Sequence, residues 1–189
     1  MNLQILNKET IEYIFHHHIV HDFPPEETRP LKNMLKLMDQ NYYKGYGLYD
    51  ENELLGYAFL AGDINHHVIL LDYLAIVESK RSLGYGSELI KLLKQELYDK
   101  CLVVEVESIE SAKSEDEIKI RERRIQFYLN NSFIKSSLSC NLFHVDYSLL
   151  YVSNEKQNDD ILYDEIVKLY KSIFNPIFYK IFVKMKKGT

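Results

Sequence analysis

A chain of 189 residues can close one domain core, burying roughly two-thirds of its unfolded surface, and 46% apolar with 27% charged residues is a composition that excludes disorder. The formal charge of -5 argues against a nucleic acid as partner, because phosphate binding needs a basic surface. Cys101 and Cys140 stand far apart outside any metal spacing, which suits a reducing cytoplasmic setting, and the polar N-terminal stretch resembles neither a signal peptide nor a membrane span.

Asn7 is a candidate cap for a helix over about residues 8–20, where Ile11, Ile14, Phe15, His18 and Ile19 recur at helical spacing. Phe23-Pro24-Pro25-Glu26-Glu27 breaks it, and Pro30 opens a second helix with Leu31, Met34, Leu35 and Met38. Residues 46–49 and 54–61 read as a hairpin around Asp50-Glu51-Asn52, and Gly62-Asp63-Ile64-Asn65 offers the next turn. Residues 67–77 are apolar on both faces apart from Asp72, as in a central strand covered on both sides. A helix over 87–99 aligns Leu89, Ile90, Leu93 and Leu97, and residues 102–107 form the following strand.

Residues 108–117 are polar and acidic, residues 117–130 enter a helix, and Asn130-Asn131-Ser132 ends it. Residues 133–139 and 142–152 read as an antiparallel pair. Leu162, Ile166, Leu169, Tyr170 and Ile173 then mark a last helix over 161–174, expected to pack on the sheet or on a second subunit, the latter making a homodimer. Asn175-Pro176 kinks or ends it, and Lys180, Lys184, Lys186 and Lys187 read as a solvated basic terminus. The expected class is α/β (α+β), a mixed, mostly antiparallel twisted sheet flanked by helices. Residues 1–152 form the main domain, and 153–189 form a helical extension packed on it or on a partner.

The loop before the third long helix carries the chemistry. Arg81-Ser82-Leu83-Gly84-Tyr85-Gly86 lies between an apolar strand and an amphipathic helix, where glycines admit a ligand close to the backbone and helix N-terminal amides attract phosphate oxygens. Arg81 can add charge-assisted hydrogen bonds. The loop lacks the lysine of a Walker loop and the third glycine of a dinucleotide fingerprint.

Leu71-Asp72-Tyr73-Leu74-Ala75-Ile76 followed by this loop and Leu89 resembles the strand-loop-helix motif of the GNAT acetyltransferases, Arg/Gln-x-x-Gly-x-Gly/Ala. Val104-Glu105-Val106-Glu107, with Arg124-Ile125-Gln126-Phe127-Tyr128 running to Phe133, is similar to the family's Leu-Glu-Val strand and Phe-Tyr-x-x-x-Gly-Phe helix end. The resemblance covers roughly residues 46–135, is of bacterial type and singles out no subfamily. It implies the GNAT fold and an N-acetyltransferase that passes an acetyl group from acetyl-CoA to a primary amine of a small molecule, peptide or protein. It also implies that the amides of Arg81, Ser82, Leu83, Gly84, Tyr85 and Gly86 bind the coenzyme A pyrophosphate. The backbone of Leu74, Ala75 and Ile76 would bind pantetheine. Ser132 departs from the pattern, standing where the family has glycine.

By the same resemblance Glu105 is the general base and Tyr128 the acid that protonates the leaving thiolate, with Asp72 and Glu107 as alternative bases. On a strand, Glu105 and Glu107 share one face opposite Val104 and Val106, which also fits a solvated face of an edge strand. Glu26, Glu27 and the acidic stretch 108–117 point to a cationic acceptor. His16-His17-His18 cannot converge on one ion, since adjacent helical residues point about 100° apart, and neither a metal site nor a thiol nucleophile is expected. A GNAT-like module that binds acyl-CoA or a protein without turnover is the rival reading.

Overall fold

The computed structural model describes residues 1–63 and 65–188; Ile64 of the expected turn and the Glu26 side chain lie outside the described residues. The chain divides into two compact units, Met1–Asp63 with Leu71–Glu96 and Ile64–Leu70 with Leu97–Thr189.

In the first unit β1 (Asn2–Ile5) pairs antiparallel with β2 (Tyr43–Asp50), which turns at Glu51 and Asn52 into β3 (Glu53–Ala61). β1 was not expected: it is four residues long and mostly exposed, so no apolar alternation announces it. The Asn7 side chain accepts from the Thr10 amide at 2.8 Å and starts α1 (Lys8–Ile14). The helix runs on through a π turn at Phe15–Ile19 into α2 (Val20–Asp22), so the expected single helix is widened where the three histidines lie. Ile11, Ile14 and Ile19 are fully buried. α3 (Leu31–Asp39) follows Pro30 as expected and buries Met34 and Leu37.

β4 (Val68–Ile76) and α4 (Tyr85–Glu96) frame the expected loop. Leu71 to Ile76 of β4 belong to the first unit and Val68 to Leu70 to the second. α4 buries Leu89, Ile90 and Leu93 along one stripe. Gly56 of β3 faces the end of β4 at such close range that a Cβ there would stand 2.8 Å from the Ala75 carbonyl oxygen.

In the second unit Val68, Ile69 and Leu70 pair parallel with Cys101, Leu102 and Val103 of β5 (Cys101–Glu107). β5 is antiparallel to β7 (Val145–Val152), β7 to β6 (Ile134–Leu142), and β6 to β8 (Val183–Lys187), in the order β4-β5-β7-β6-β8. β5 is therefore an inner strand, and the edge-strand reading of its glutamates is overturned. Among the described residues eight strands form a mostly antiparallel sheet with a parallel β4–β5 pairing and helices between the strands, so the fold is mixed α/β as expected.

α5 (Glu115–Asn130) is capped by Ser114, whose Oγ accepts from the Glu117 amide, while Glu117 reaches back to the Lys113 amide at 2.8 Å. At its far end Ser132 takes φ 71°, the left-handed stop for which the family uses glycine. α6 (Asp159–Ile173) buries Leu162, Ile166, Leu169, Tyr170 and Ile173; α7 (Pro176–Phe182) follows, capped by Asn175.

Two expectations are amended here for tertiary reasons. The lysine-rich end keeps Lys184, Lys186 and Lys187 exposed but is not a loose terminus: Val183–Lys187 is β8, bonded along β6, with Lys187 paired to Asp160 at 2.6 Å. The β6–β7 turn falls on Phe143 and His144, both with positive φ (48° and 73°), where sequence-based turn chemistry wants Asn-Gly. Phe143 stacks on Phe182 with its amide on the Phe182 carbonyl, and His144 meets the same ring edge-on. Packing against α7 thus holds a turn that local preference disfavours.

Candidate active site

The loop from Glu78 begins as a 3-10 turn (Glu78–Lys80), passes Ser82 at φ 64° and Gly84 at φ 84°, and delivers Tyr85 and Gly86 as the first residues of α4. The first main-chain amides engaged beyond Arg81 are those of Ser87 and Glu88, both on the Gly84 carbonyl. Among the described residues the five consecutive amides of Ser82, Leu83, Gly84, Tyr85 and Gly86 have no main-chain acceptor. A Cβ built on Gly84 would meet nothing within 4 Å, so the space beside Gly84 is open. Donors, space and the positive end of a 12-residue helix together suit a phosphate group.

The strand end joins the loop through Arg81, whose Nε donates to the Ile76 carbonyl at 3.1 Å and whose guanidinium pairs with Asp22 at 2.5 Å. Asp22 also accepts the Tyr57 hydroxyl at 2.8 Å. Arg81 thus braces the loop against β4 and α2. Leu74, Ala75 and Ile76 are only partly buried, unlike the four residues that open the strand.

Asp72 is fully engaged. It accepts from Arg29 Nε at 3.0 Å and Nη2 at 3.3 Å, and from the Tyr43 hydroxyl at 2.5 Å, with the Asp72 and Arg29 side chains 13% and 12% exposed. Burial alone would lower the Arg29 pKa, but the Asp72 carboxylate overrides it and raises it. Burial also pushes Tyr43 well up, so its hydroxyl stays a donor. The neighbouring Tyr73 hydroxyl accepts from the Arg29 amide at 2.6 Å and donates to the Glu27 carbonyl at 2.9 Å. The segment from Glu27 to Arg29 is therefore clamped to β4. Nothing in the sequence marked Arg29, which lies 43 residues from its partner.

In the second unit Val104 and Val106 are buried, and Glu105 and Glu107 are half-buried, as alternation predicts. Glu107 is held by Arg121 at 3.2 Å and Arg124 at 2.5 Å, and Arg121 also donates to the Ser108 carbonyl and Ser111 hydroxyl. Both Glu107 carboxylate oxygens are thus taken up by guanidinium groups. Glu105 instead receives the Tyr170 hydroxyl from α6. Tyr128 lies near the end of α5, its ring edge-on to Phe127 and Phe133. Burial pushes its pKa up to about 12, Arg124 opposing. Its hydroxyl has no hydrogen-bond partner among the described residues, and the residue is 7% exposed. Glu105 and Tyr128 are thus held by different neighbours. Among the described residues no group of three or more His, Cys, Asp or Glu is placed to hold a metal ion, and no helix is long and apolar enough to cross a membrane.

The loop between β4 and α4 has the form of the strand-loop-helix element that resembles the N-acetyltransferases. The chain belongs to the acetyltransferase (GNAT) family, which it matches over residues 9–115. Among solved structures it is similar to a putative GNAT acetyltransferase from Bacteroides thetaiotaomicron (TM-score 0.68, 20% identity, 92% of this chain and 98% of that one). It also resembles the ribosomal-protein-S18-alanine N-acetyltransferase from Escherichia coli (0.57, 16%, 83% and 97%). A third likeness is to spermidine N-acetyltransferase from Vibrio cholerae, solved with CoA and spermine (0.60, 12%, 80% and 94%). At these identities the likenesses establish the fold. No curated protein matches the sequence.

Proposed function

We propose that the chain transfers an acetyl group from acetyl-CoA to a primary amine of a small molecule, peptide or protein. The observation that carries this reading is the run of five amides without main-chain acceptors among the described residues, with open space beside Gly84. Those amides, from Ser82 to Gly86, receive the pyrophosphate. The loop is braced through Arg81, and the backbone of Leu74, Ala75 and Ile76 lines the pantetheine arm.

Bound acetyl-CoA supplies a thioester carbonyl as the electrophile. An amine is mostly protonated at neutral pH, its pKa being near 10, so a base must remove the proton before nitrogen attacks. Glu105 is assigned that task because Asp72 and Glu107 are committed to arginines. Tyr128, kept neutral by burial, donates to the sulfur as the thiolate leaves. In water a phenol raised this far would give up its proton to a thiolate of pKa about 8.5 only uphill. A site dry enough to raise the phenol also raises the thiolate, which brings the two closer.

The buried free thiols of Cys101 and Cys140 support a reducing, cytoplasmic setting. We read residues 1–152 as the transferase domain and 153–189 as its extension. A second copy of the chain is the partner we assign to α7, whose Ile177, Phe178 and Ile181 are exposed. The function is tested by thiol release from acetyl-CoA across a panel holding spermidine, an aminoglycoside and an alanine-terminated peptide. Acetyl-CoA binding with no amine-dependent release from any primary amine would favour the binding module instead.

A further inference from the structure

The extension beyond residue 152 lies outside the family match, yet it reaches the carboxylate assigned as base. α6 buries Tyr170 completely. The Tyr170 ring packs edge-on to Phe174, and its hydroxyl donates to Glu105 Oε1. The same hydroxyl stands 3.7 Å from Cys140 Sγ on β6. A carboxylate on the inner strand β5 is thereby tied to the last long helix, 65 residues away in sequence.

We propose that Tyr170 is a positioning residue for acetyl transfer, fixing the Glu105 side chain and favouring its charged form; this rests on Glu105 being the base. A hydroxyl that donates to a carboxylate stabilises the anion, so the base stays unprotonated to lower pH. Tyr170 can only donate here, because burial, then Cys140 and Glu105, hold its own pKa well above the phenol range. Cys140 is likewise held as a thiol by burial and by Glu105. The other charged groups around this cluster are Glu107, two residues along β5 and committed to Arg121 and Arg124, and Asp146 of β7, which acts on Cys140. Tyr170 is the donor that the extension contributes to Glu105.

Tyr170→Phe removes one oxygen and leaves the ring against Phe174, so a thermal melt should show a folded protein. The Glu105 carboxyl is followed by carbon NMR of protein labelled at glutamate Cδ, assigned with Glu105→Gln and titrated without any ligand. In Tyr170→Phe its midpoint moves to higher pH. On whichever panel amine is turned over, the acid limb of kcat/KM moves the same way, with a loss on the order of tenfold at the acid end that closes as pH rises. Combining Tyr170→Phe with Glu105→Gln adds no further loss. An unchanged midpoint overturns the inference, as does an unchanged acid limb beside an impaired Glu105→Gln. Glu105→Gln turning over like the parent removes the base assignment itself, a different failure from that of Tyr170.

Discussion

Replacing Gly84 with valine separates the loop's ligand role from its structural one. Gly84 has φ 84°, a conformation costing an L-residue roughly 1–2 kcal/mol, but a Cβ there meets no atom within 4 Å. The fold should therefore lose only that strain, lowering Tm by about 2–8 °C at roughly 2–4 °C per kcal/mol for a chain of this size. The isopropyl group, however, adds bulk in the middle of the loop whose five amides lack main-chain acceptors among the described residues, the proposed pyrophosphate site. Acetyl-CoA at a hundredfold excess over its Kd stabilises a binding protein by about 2.7 kcal/mol, a rise of about 5–11 °C on the same scale. Thermal melts of both proteins with and without acetyl-CoA read the two effects separately. The parent should show the rise and Gly84→Val should not. A variant that melts a few degrees low yet keeps the full ligand-induced rise refutes the loop as the pyrophosphate site.

Tyr128→Phe removes a hydroxyl without touching the contacts to Phe127 and Phe133, so acetyl-CoA affinity should hold while turnover falls between about tenfold and ten-thousandfold; steady-state kinetics with unchanged kcat would dismiss it as the acid. Asp72→Ala leaves Arg29 buried without its carboxylate and should destabilise by about 3–5 kcal/mol, whereas a loss below 1 kcal/mol in urea unfolding would show the pair to be weakly coupled to the fold. Ser132→Gly relieves an exposed residue at φ 71° and should raise stability by about 0.5–1 kcal/mol, seen as a higher Tm; a lower one would mean that the Ser132 side chain contributes more than its strain costs.

What could be read from the sequence was what is local. The β4-loop-α4 element lies within 30 residues, and its glycines, apolar strand and helical stripe reinforce one another, so the strand, the loop and the helix were all legible there. The alternation of Val104, Glu105, Val106 and Glu107 gave the right faces for the same reason. Arg29 with Asp72, and Tyr170 with Glu105, were hidden because each joins residues more than 40 apart with no shared pattern. The turn at Phe143 and His144 was expected three residues earlier, at 140–141, since its two residues carry no turn chemistry and are held from outside by Phe182.

The placement of β8 bears on how the chain behaves at high concentration. As the last strand of β4-β5-β7-β6-β8 it presents an open row of main-chain donors and acceptors, the kind of border along which sheets of different molecules zip together. Lys184, Lys186 and Lys187 line that border, and charge on a rim strand discourages such stacking. Trimming the chain after Phe182 would hand the border to β6, whose Leu138, Cys140 and Leu142 are buried and whose charge is one lysine, Lys135. The last few residues thus act as a hem that keeps the fabric from fraying into aggregates.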